Sequence, residues 1–547
     1  MEQNPDVLVA GAGPVGLTAA LELTRRGVRV RIVDRASGPA VTSRATATHA
    51  RTLEIYEQMG LVAEILRRGQ RVDNFTMHRN GRAMIRFGSG YDRLPTRYPF
   101  TLQIDQVLTE EVLRTALAER GVEVEWGVEL ERLEQDDHRV TAVLRHASGR
   151  SEESTTAWLV GADGGHSTVR RALALPLAGE STETWLIADA VIDADLPRDS
   201  LHWIHAGAST VLMVPFPAPG KWRLVDTADV DQADEPALVA ARFQEKLARA
   251  LGRAVRVEHP TWVSVFTIQQ RMIERMREGR CFVAGDAAHV HSPASGQGMN
   301  TGIQDAYNLA WKLADVVRGH ATEELLDSYG AERTPVGAVL LRTTRTATAL
   351  IALRNAIAPI ALPLGLGFLD LVKPLKHRVE RKIMATMSGL ALDYAESPLS
   401  RHAEAETGLL PGHRLAWSQQ DAAQHPGWRA VGEELTDPRW TLLADTDTAD
   451  DAGKPVTDLL AEVRAQHEDA VSVCALTGSA APAPVRGVRS LGDPGRAVRE
   501  RIGIPAGGFA LVRPDGYLAA KGPVAELAAV LHDVGLRPSR SVQPEEV

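Results

Sequence analysis

Within its first thirty-five residues the chain changes hydrophobic period twice. Val7 to Ala10 is an uninterrupted apolar run of the length that a buried parallel strand takes, and Leu17, Ala20 and Leu21 then recur on one helical face. Arg25, Arg26 and Gly27 follow, the cations and glycine that suit a helix C-terminus, and Val28 to Val33 reads as the next strand, ending in Asp34. Strand, helix and strand are therefore predicted, with Gly11, Gly13 and Gly16 spaced G-x-G-x-x-G in the turn between the first two. A strand is predicted again at Trp158–Val160, running into Asp163-Gly164-Gly165. Another is predicted at Cys281–Ala284, before a glycine-rich loop and a long amphipathic helix reaching Val317. Ser43–Leu61 places Arg44 in a loop ahead of a helix whose Leu53 and Tyr56 share a face with Met59. Between these segments, Ser209–Phe216 and Lys221–Thr227 suit an antiparallel sheet inserted into the first domain. After Glu396–Ser400 the elements become short and Pro- and Gly-punctuated, and Pro514-Asp515-Gly516 predicts a turn between two strands of a C-terminal domain.

A chain of 547 residues is too long for one core and implies two or three domains. The net charge of −9, with Lys and Arg scattered, leaves no basic tract for nucleic acid or an anionic membrane. Cys281 and Cys474 are the two cysteines and form no C-x-x-C, which argues against a zinc ribbon, a disulfide scaffold or a thiol redox pair. A reducing, cytoplasmic location fits. The N-terminus has neither a basic n-region nor a long apolar h-region, so no secretory signal is expected. Ala356–Leu369 is continuously apolar, but it falls short of the roughly 20 residues of a spanning helix and contains Pro359 and Pro363. It is expected to be a buried connection or a covered surface, without stable membrane insertion.

The glycine turn carries the first chemistry. Backbone N–H groups at such a turn, facing a helix N-terminus, bind a pyrophosphate, and Asp34 at the end of the next strand is placed to accept hydrogen bonds from a ribose. An adenine dinucleotide site is expected there. Asp163 and Asp286, taken singly, read as helix caps or turn residues. His289 and His291 form H-x-H with no third ligand placed by sequence, so no metal is expected.

Taken together, the N-terminal G-x-G-x-x-G, the D-G-x-x-S-x-x-R from Asp163 to Arg170 and the G-D-A-A-H from Gly285 to His289 resemble the FAD-dependent aromatic hydroxylases. These are the single-component flavoprotein monooxygenases related to p-hydroxybenzoate hydroxylase. The resemblance covers nearly the whole chain. It implies an α/β fold: a Rossmann-like FAD-binding domain with an inserted antiparallel-sheet substrate domain, plus a C-terminal thioredoxin-like domain. The expected division is residues 1–398, with inserted segments at about 74–100 and 180–271, and residues 399–547. The tail's likeness rests on Leu511–Ala519 and belongs to the polyketide-modifying branch; without C-x-x-C it cannot exchange disulfides, and its expected job is structural, at a domain or subunit interface. A homo-oligomer is one arrangement this allows.

Carried over residue by residue, the resemblance implies non-covalent FAD with its pyrophosphate on Gly11, Ala12, Gly13, Pro14, Val15 and Gly16 and its adenosine ribose on Asp34. Arg35 and Arg44 would flank the same half, Gln103 would touch the cofactor, and Val128 would meet adenine through its backbone. Asp286 would bond the ribitol chain, and Pro293, Gly296, Gly298, Met299 and Asn300 would lie along the flavin ring. A helix N-terminus there has a chemical reason, because a reduced flavin is an anion. Asp163 and Arg170 would bridge FAD and the surface that the nicotinamide approaches. Ser295 stands where the family commonly has glycine.

The implied activity is NADPH- or NADH- and O₂-dependent hydroxylation of a small aromatic molecule. Baeyer–Villiger oxygenation of a related ketone and a non-catalytic flavin-binding protein are the rivals; flavin-dependent halogenation is disfavoured because W-x-W-x-I-P is absent. The tail points to a polycyclic aromatic polyketide. Trp203, Met213, Phe216 and Trp222 of the inserted sheet, with Pro293, are the candidate substrate contacts. No residue is assigned as catalytic base. Either the substrate is itself acidic, as a hydroxyquinone would be, or a base such as His291 assists; the first is the expectation, so that His291→Ala keeps appreciable turnover.

Overall fold

The computed structural model describes residues 4–88, 94–206, 209–231, 233–291, 296–352, 378, 381–382, 384–401, 407–447, 456–479 and 488–539. Pro293, Ser295 and the apolar stretch Ala356–Leu369 lie outside the described residues.

The first apolar run becomes the strand Val7–Ala10, buried at every position and paired in parallel along both edges: Val7 is in register with Trp158 on one side and with Val30 on the other. The six-stranded sheet built on it has the order Arg277–Glu278, Cys281–Val283, Trp158–Gly161, Val7–Ala10, Val30–Asp34, Val124–Trp126. All its pairings are parallel except that of the outermost Arg277–Glu278. The three motif-bearing strands are thus neighbours, and their C-terminal ends, where such sheets bind ligands, lie together. The helix Pro14–Arg25 leaves the glycine turn and ends as expected, with Gly27 at φ +76°. Its Leu17, Ala20 and Leu21 share one core with Ile303, Ala306 and Ala310 of the long helix Gly298–Val317.

A nine-stranded sheet stands beside this layer. Its main path runs His289–Val290, Trp262–Met272, Ala178–Asp193, Lys221–Asp226, Ser209–Pro215, Ser200–Ala206, Asn74–Arg79, Arg82–Phe87. Only the pairing of Ser200–Ala206 with Asn74–Arg79 is parallel. Side chains alternate between its two faces. Met213, Trp222 and Leu224 pack on the helix Pro236–Leu251 through Val239, Phe243 and Leu247, while Trp203, Leu212, Val214 and Val225 gather on the other face with Trp185 and Ile187.

The C-terminal part builds a five-stranded mixed sheet in the order Arg489–Gly492, Val471–Thr477, Trp440–Asp445, Gly508–Val512, Leu518–Pro523. Gly508–Val512 and Leu518–Pro523 pair antiparallel around the turn that Pro514-Asp515-Gly516 predicts, with Gly516 at φ +79°. This unit does not stand apart: Trp440, Leu442, Leu511 and Leu527 share a core with Trp311, Ala321 and Leu325. No described helix is long and apolar enough to cross a membrane.

Candidate functional site

The three glycines of the turn do not share one physical reason. A Cβ on Gly16 would lie 1.8 Å from the Gly11 carbonyl oxygen, and one on Gly11, whose φ is +102°, would lie 2.3 Å from the Ala162 oxygen. Close packing of strand, turn and helix therefore excludes a side chain at both. A Cβ on Gly13 would meet no atom within 4 Å, so the protein's own packing does not call for glycine there. Backbone laid bare at the N-terminus of a twelve-residue helix is what the close approach of a pyrophosphate requires.

Gly13, Pro14 and Val15 form one wall of a cavity of about 400 Å³. Arg44, Gln103, Asp286, Gly296, Gly298 and Met299 also line it, so the structure brings together residues spread from position 13 to position 299. Gln103 is 1 % exposed, and both atoms of its amide lack a hydrogen-bond partner among the described residues. A buried amide left so requires a partner. Asp286 makes no hydrogen bond to a described residue and is exposed to the cavity, yet the protein around it raises its carboxyl above the usual carboxylate range, against the pull of His289 and Arg44. The long helix begins at Gly298 with Gln297 as its N-cap, and its first free N–H groups face the same space.

Other expected residues hold the site together instead of lining it. Asn300 uses its whole amide: Oδ1 accepts from the His49 N–H at 2.9 Å, and Nδ2 donates to the carbonyls of Ala47 and Gly296, both at 2.8 Å. It pins the short strand Ala47–Thr48 and His49 to the start of the helix. Asp163 Oδ2 accepts from the N–H groups of Thr168 and Val169, the capping role that a lone Asp after a strand suggests, while its buried Oδ1 has no partner among the described residues. Arg170 is buried and donates to the Ala287 carbonyl at 3.2 Å, which ties the second motif to the third; it does not reach the cavity.

Asp34, Arg35 and Val128 lie outside the cavity and close to one another, since Asp34 is in register with Trp126 and the Gly127 N–H donates to the Ala36 carbonyl at 2.7 Å. The Asp34 carboxylate accepts from Ala12 N–H at 2.7 Å and from Ala36 N–H at 2.8 Å. It therefore shapes the glycine turn itself, and each oxygen keeps a further lone pair able to accept.

From the inserted sheet, Trp203 lines the same cavity with Phe75, Leu212, Val214 and Val225. The indole Nε1–H of Trp203 is buried without an acceptor among the described residues. Met213, Phe216 and Trp222 do not line it. The strand period of two turns Met213 and Trp222 to the opposite face, against the helix Pro236–Leu251, and Phe216 is fully buried under the cations of Lys221 and Arg223. Strict alternation from Trp203 through its register partner Leu212 identifies the face that lines the cavity, Leu212, Val214 and Val225.

Sequence reasoning also missed Arg223. It pairs with Asp189 through two hydrogen bonds of 2.8 and 2.9 Å and donates to the carbonyls of Ser43 and Arg44, clamping the Arg44 loop to the inserted sheet. A cation among the apolar residues of Lys221–Asp226 was the available signal. His289 and His291 do not stand as a bare H-x-H pair: His289 Nε2 lies 2.6 Å from Asp305 Oδ2, and His291 Nε2 lies 2.8 Å from His289 Nδ1.

Residues 4–344 match the family described as "FAD binding domain". The chain is 60% identical over 520 residues to the 6-methylpretetramide 4-monooxygenase of Streptomyces rimosus, covering 95% of this chain and 91% of that one. Among solved structures it is similar to the OxyS anhydrotetracycline hydroxylase from Streptomyces rimosus, at 29% identity and TM-score 0.74 over 98% of this chain and 100% of that one. It is also similar to the flavin-dependent monooxygenase PieE, solved in complex with FAD and substrate, at 25% identity and TM-score 0.76 over 97% of this chain and 99% of that one.

Proposed function

Since this chain belongs to the FAD-binding-domain family and is an FAD-dependent monooxygenase, we propose that it hydroxylates a polycyclic aromatic polyketide, a tetracyclic phenol of the 6-methylpretetramide kind, at a ring carbon activated by a neighbouring phenol. One observation carries the substrate reading. The inserted sheet lends the cavity an aromatic and aliphatic lining of Trp203, Phe75, Leu212, Val214 and Val225, and the cations among the described lining residues are Arg44 and the Asp189-paired Arg223. Such a lining suits a large flat ring system and offers no cluster of free arginines to clamp a small carboxylate.

FAD, reduced by NADPH or NADH, supplies O₂ activation and oxygen transfer. In the arrangement we propose, the Gly11–Gly16 turn holds its pyrophosphate, Asp34, Arg35 and Val128 its adenosine half, and Asp286 its ribitol. The Gln103 amide and the N–H groups at Gly298 and Met299 meet the isoalloxazine, where the helix N-terminus favours negative charge. The apolar face excludes water from the reacting ring and aligns it, so the protein contributes position and dryness. Residues 1–398 carry this chemistry, with the substrate wall supplied by the inserted segments 74–100 and 180–271. Residues 399–547 act as a thioredoxin-like structural module. A cytoplasmic location suits the need for reduced nicotinamide.

The test uses FAD-loaded full-length protein, with NADPH or NADH oxidation followed in the presence of 6-methylpretetramide or of 4-hydroxybenzoate. The tetracyclic phenol is expected to accelerate oxidation and to yield a product gaining one oxygen, placed on a ring carbon by NMR. A ring-expanded lactone, or a preference for the hydroxybenzoate, overturns this reading of the pocket.

A further inference from the structure

The rings of His289 and His291 stack at 4.7 Å, and the strand His289–Val290 is paired onto the end of the inserted sheet at Arg271 and Met272. His291 therefore sits where that sheet meets the glycine loop, and it lines the cavity. Behind it the hydrogen bonds have one direction. Asp305 is ringed by donors: the Gly285 N–H at 3.1 Å and His289 Nε2 at 2.6 Å reach Oδ2, and Arg333 Nε reaches Oδ1 at 2.7 Å. Its carboxyl is held down to about 2 by His289 and Arg333, burial opposing them, so it is an ionised acceptor.

With both rings neutral, His289 must carry its proton on Nε2 and accept at Nδ1, so His291 donates from Nε2. That leaves His291 Nδ1 as a lone-pair acceptor, buried and without a partner among the described residues. The other charged or titratable groups around the pair are Asp286 and Arg44 on the cavity side and Arg333 and Tyr329 on the Asp305 side.

We propose that His291, His289 and Asp305 form a proton relay that draws the proton from a phenolic hydroxyl of the bound substrate. This rests on the phenolic substrate of the preceding section. The substrate O–H bond breaks with its electron pair left on oxygen, and the proton bonds to His291 Nδ1. The proton on His291 Nε2 passes to His289 Nδ1. His291 ends neutral in its other tautomer, its new Nδ1–H donating to the phenolate, and His289 ends as an imidazolium against Asp305. The charge comes to rest one ring deeper than the cavity, beside a carboxylate. Burial and the neighbouring His289 push the pKa of His291 well below that of a free histidine, which suits a ring that passes a proton without keeping it. His291 is the catalytic residue here and His289 and Asp305 position it. Of the two routes open from the sequence, the relay takes the one in which His291 assists.

The test compares wild type with His291→Asn and His291→Gln, all full-length and FAD-loaded, with 6-methylpretetramide as probe. Absorbance of the bound probe against pH gives the midpoint of its ionisation, and the pH profile of kcat/KM gives the same step in turnover. Both amides keep a polar group at the site but cannot exchange tautomers. The expected result is that the midpoint and the profile move to higher pH by about one unit or more in either variant, with FAD content unchanged and probe affinity altered only a few-fold. A variant that retains FAD and shows the wild-type midpoint overturns the relay, as does one that loses FAD while the probe still ionises normally, which would give the acceptor to the cofactor. A wild-type protein whose spectrum does not respond to the probe overturns the substrate reading itself.

Discussion

Asp515, at the tip of a turn in the C-terminal unit, accepts a hydrogen bond at 3.2 Å from the indole Nε1–H of Trp311, in the middle of the long helix whose first turn lines the cavity. Asn308 Nδ2 reaches the same carboxylate oxygen at 3.3 Å, and Arg513 joins Asp515 to Glu332, which also holds Lys312. Two cations and two carboxylates are thus buried together across the two parts of the chain.

Breaking this cluster from one side is expected to be costly. Arg513→Met leaves Glu332 and Asp515 short of a cation and should lower stability by about 3–5 kcal/mol, read by denaturant unfolding of the FAD-loaded protein. Deletion after Ser400 should impair stability or assembly for the same reason. A soluble, flavin-loaded truncation that oxidises NADPH normally without hydroxylating would instead place the C-terminal unit in the active site.

The glycine turn separates packing from binding. Gly16→Ala should fail to give stable protein, since its Cβ would lie inside contact distance of the Gly11 carbonyl. Gly13→Ala should fold with an unfolding midpoint near that of wild type and retain less FAD, measured as flavin per polypeptide after gel filtration. Equal FAD retention in Gly13→Ala and wild type would remove the pyrophosphate from that position.

Asp286→Ala should weaken FAD by roughly 1.5–3 kcal/mol, the worth of one charge-assisted hydrogen bond, and leave folding nearly untouched because the carboxylate makes no hydrogen bond to a described residue. The flavin should also leave on denaturation: Cys281, which burial pushes up to about 12, and Cys474, pushed higher still, are both buried and neither lines the cavity.

The two faces of the inserted sheet should respond differently. Trp203→Ala is expected to raise KM for the polycyclic substrate at least about tenfold and to increase H₂O₂ release. Met213→Ala, on the helix-covered face, should cost about 2–5 kcal/mol of stability with KM unchanged. Matching KM effects from the two variants would contradict the assigned cavity face.

Acid should destabilise the fold through Asp305. Its pKa is depressed to about 2 from an ordinary 3.8, so its stabilising contribution is complete above about pH 4 and is lost as pH falls toward 2. Thermal midpoints between pH 5 and pH 2 should fall less steeply in Asp305→Asn than in wild type.

The sequence by itself determined what depends on local chemistry and chain order. The apolar run at Val7–Ala10, the three glycines, the helix end at Gly27 and the strand that each motif follows are consequences of backbone sterics and hydrophobic period, and the structure keeps them within a residue or two. Even the turn at Pro514–Gly516 was legible, because proline fixes its own φ and glycine tolerates the positive φ that the turn needs.

What only the tertiary structure decided was which side chains face which partner across long separations. Apolar composition could not tell Trp203 from Trp222, because both are buried and only strand register assigns them to opposite faces of one sheet. The Asp189–Arg223 clamp, the Asn300 pin, the Asp515–Trp311 dock and the path from His291 through His289 to Asp305 each join residues whose pairing has no local signature. A polar residue in the sequence records only that it needs a partner; folding supplies the burial that makes the need strict and the neighbour that meets it.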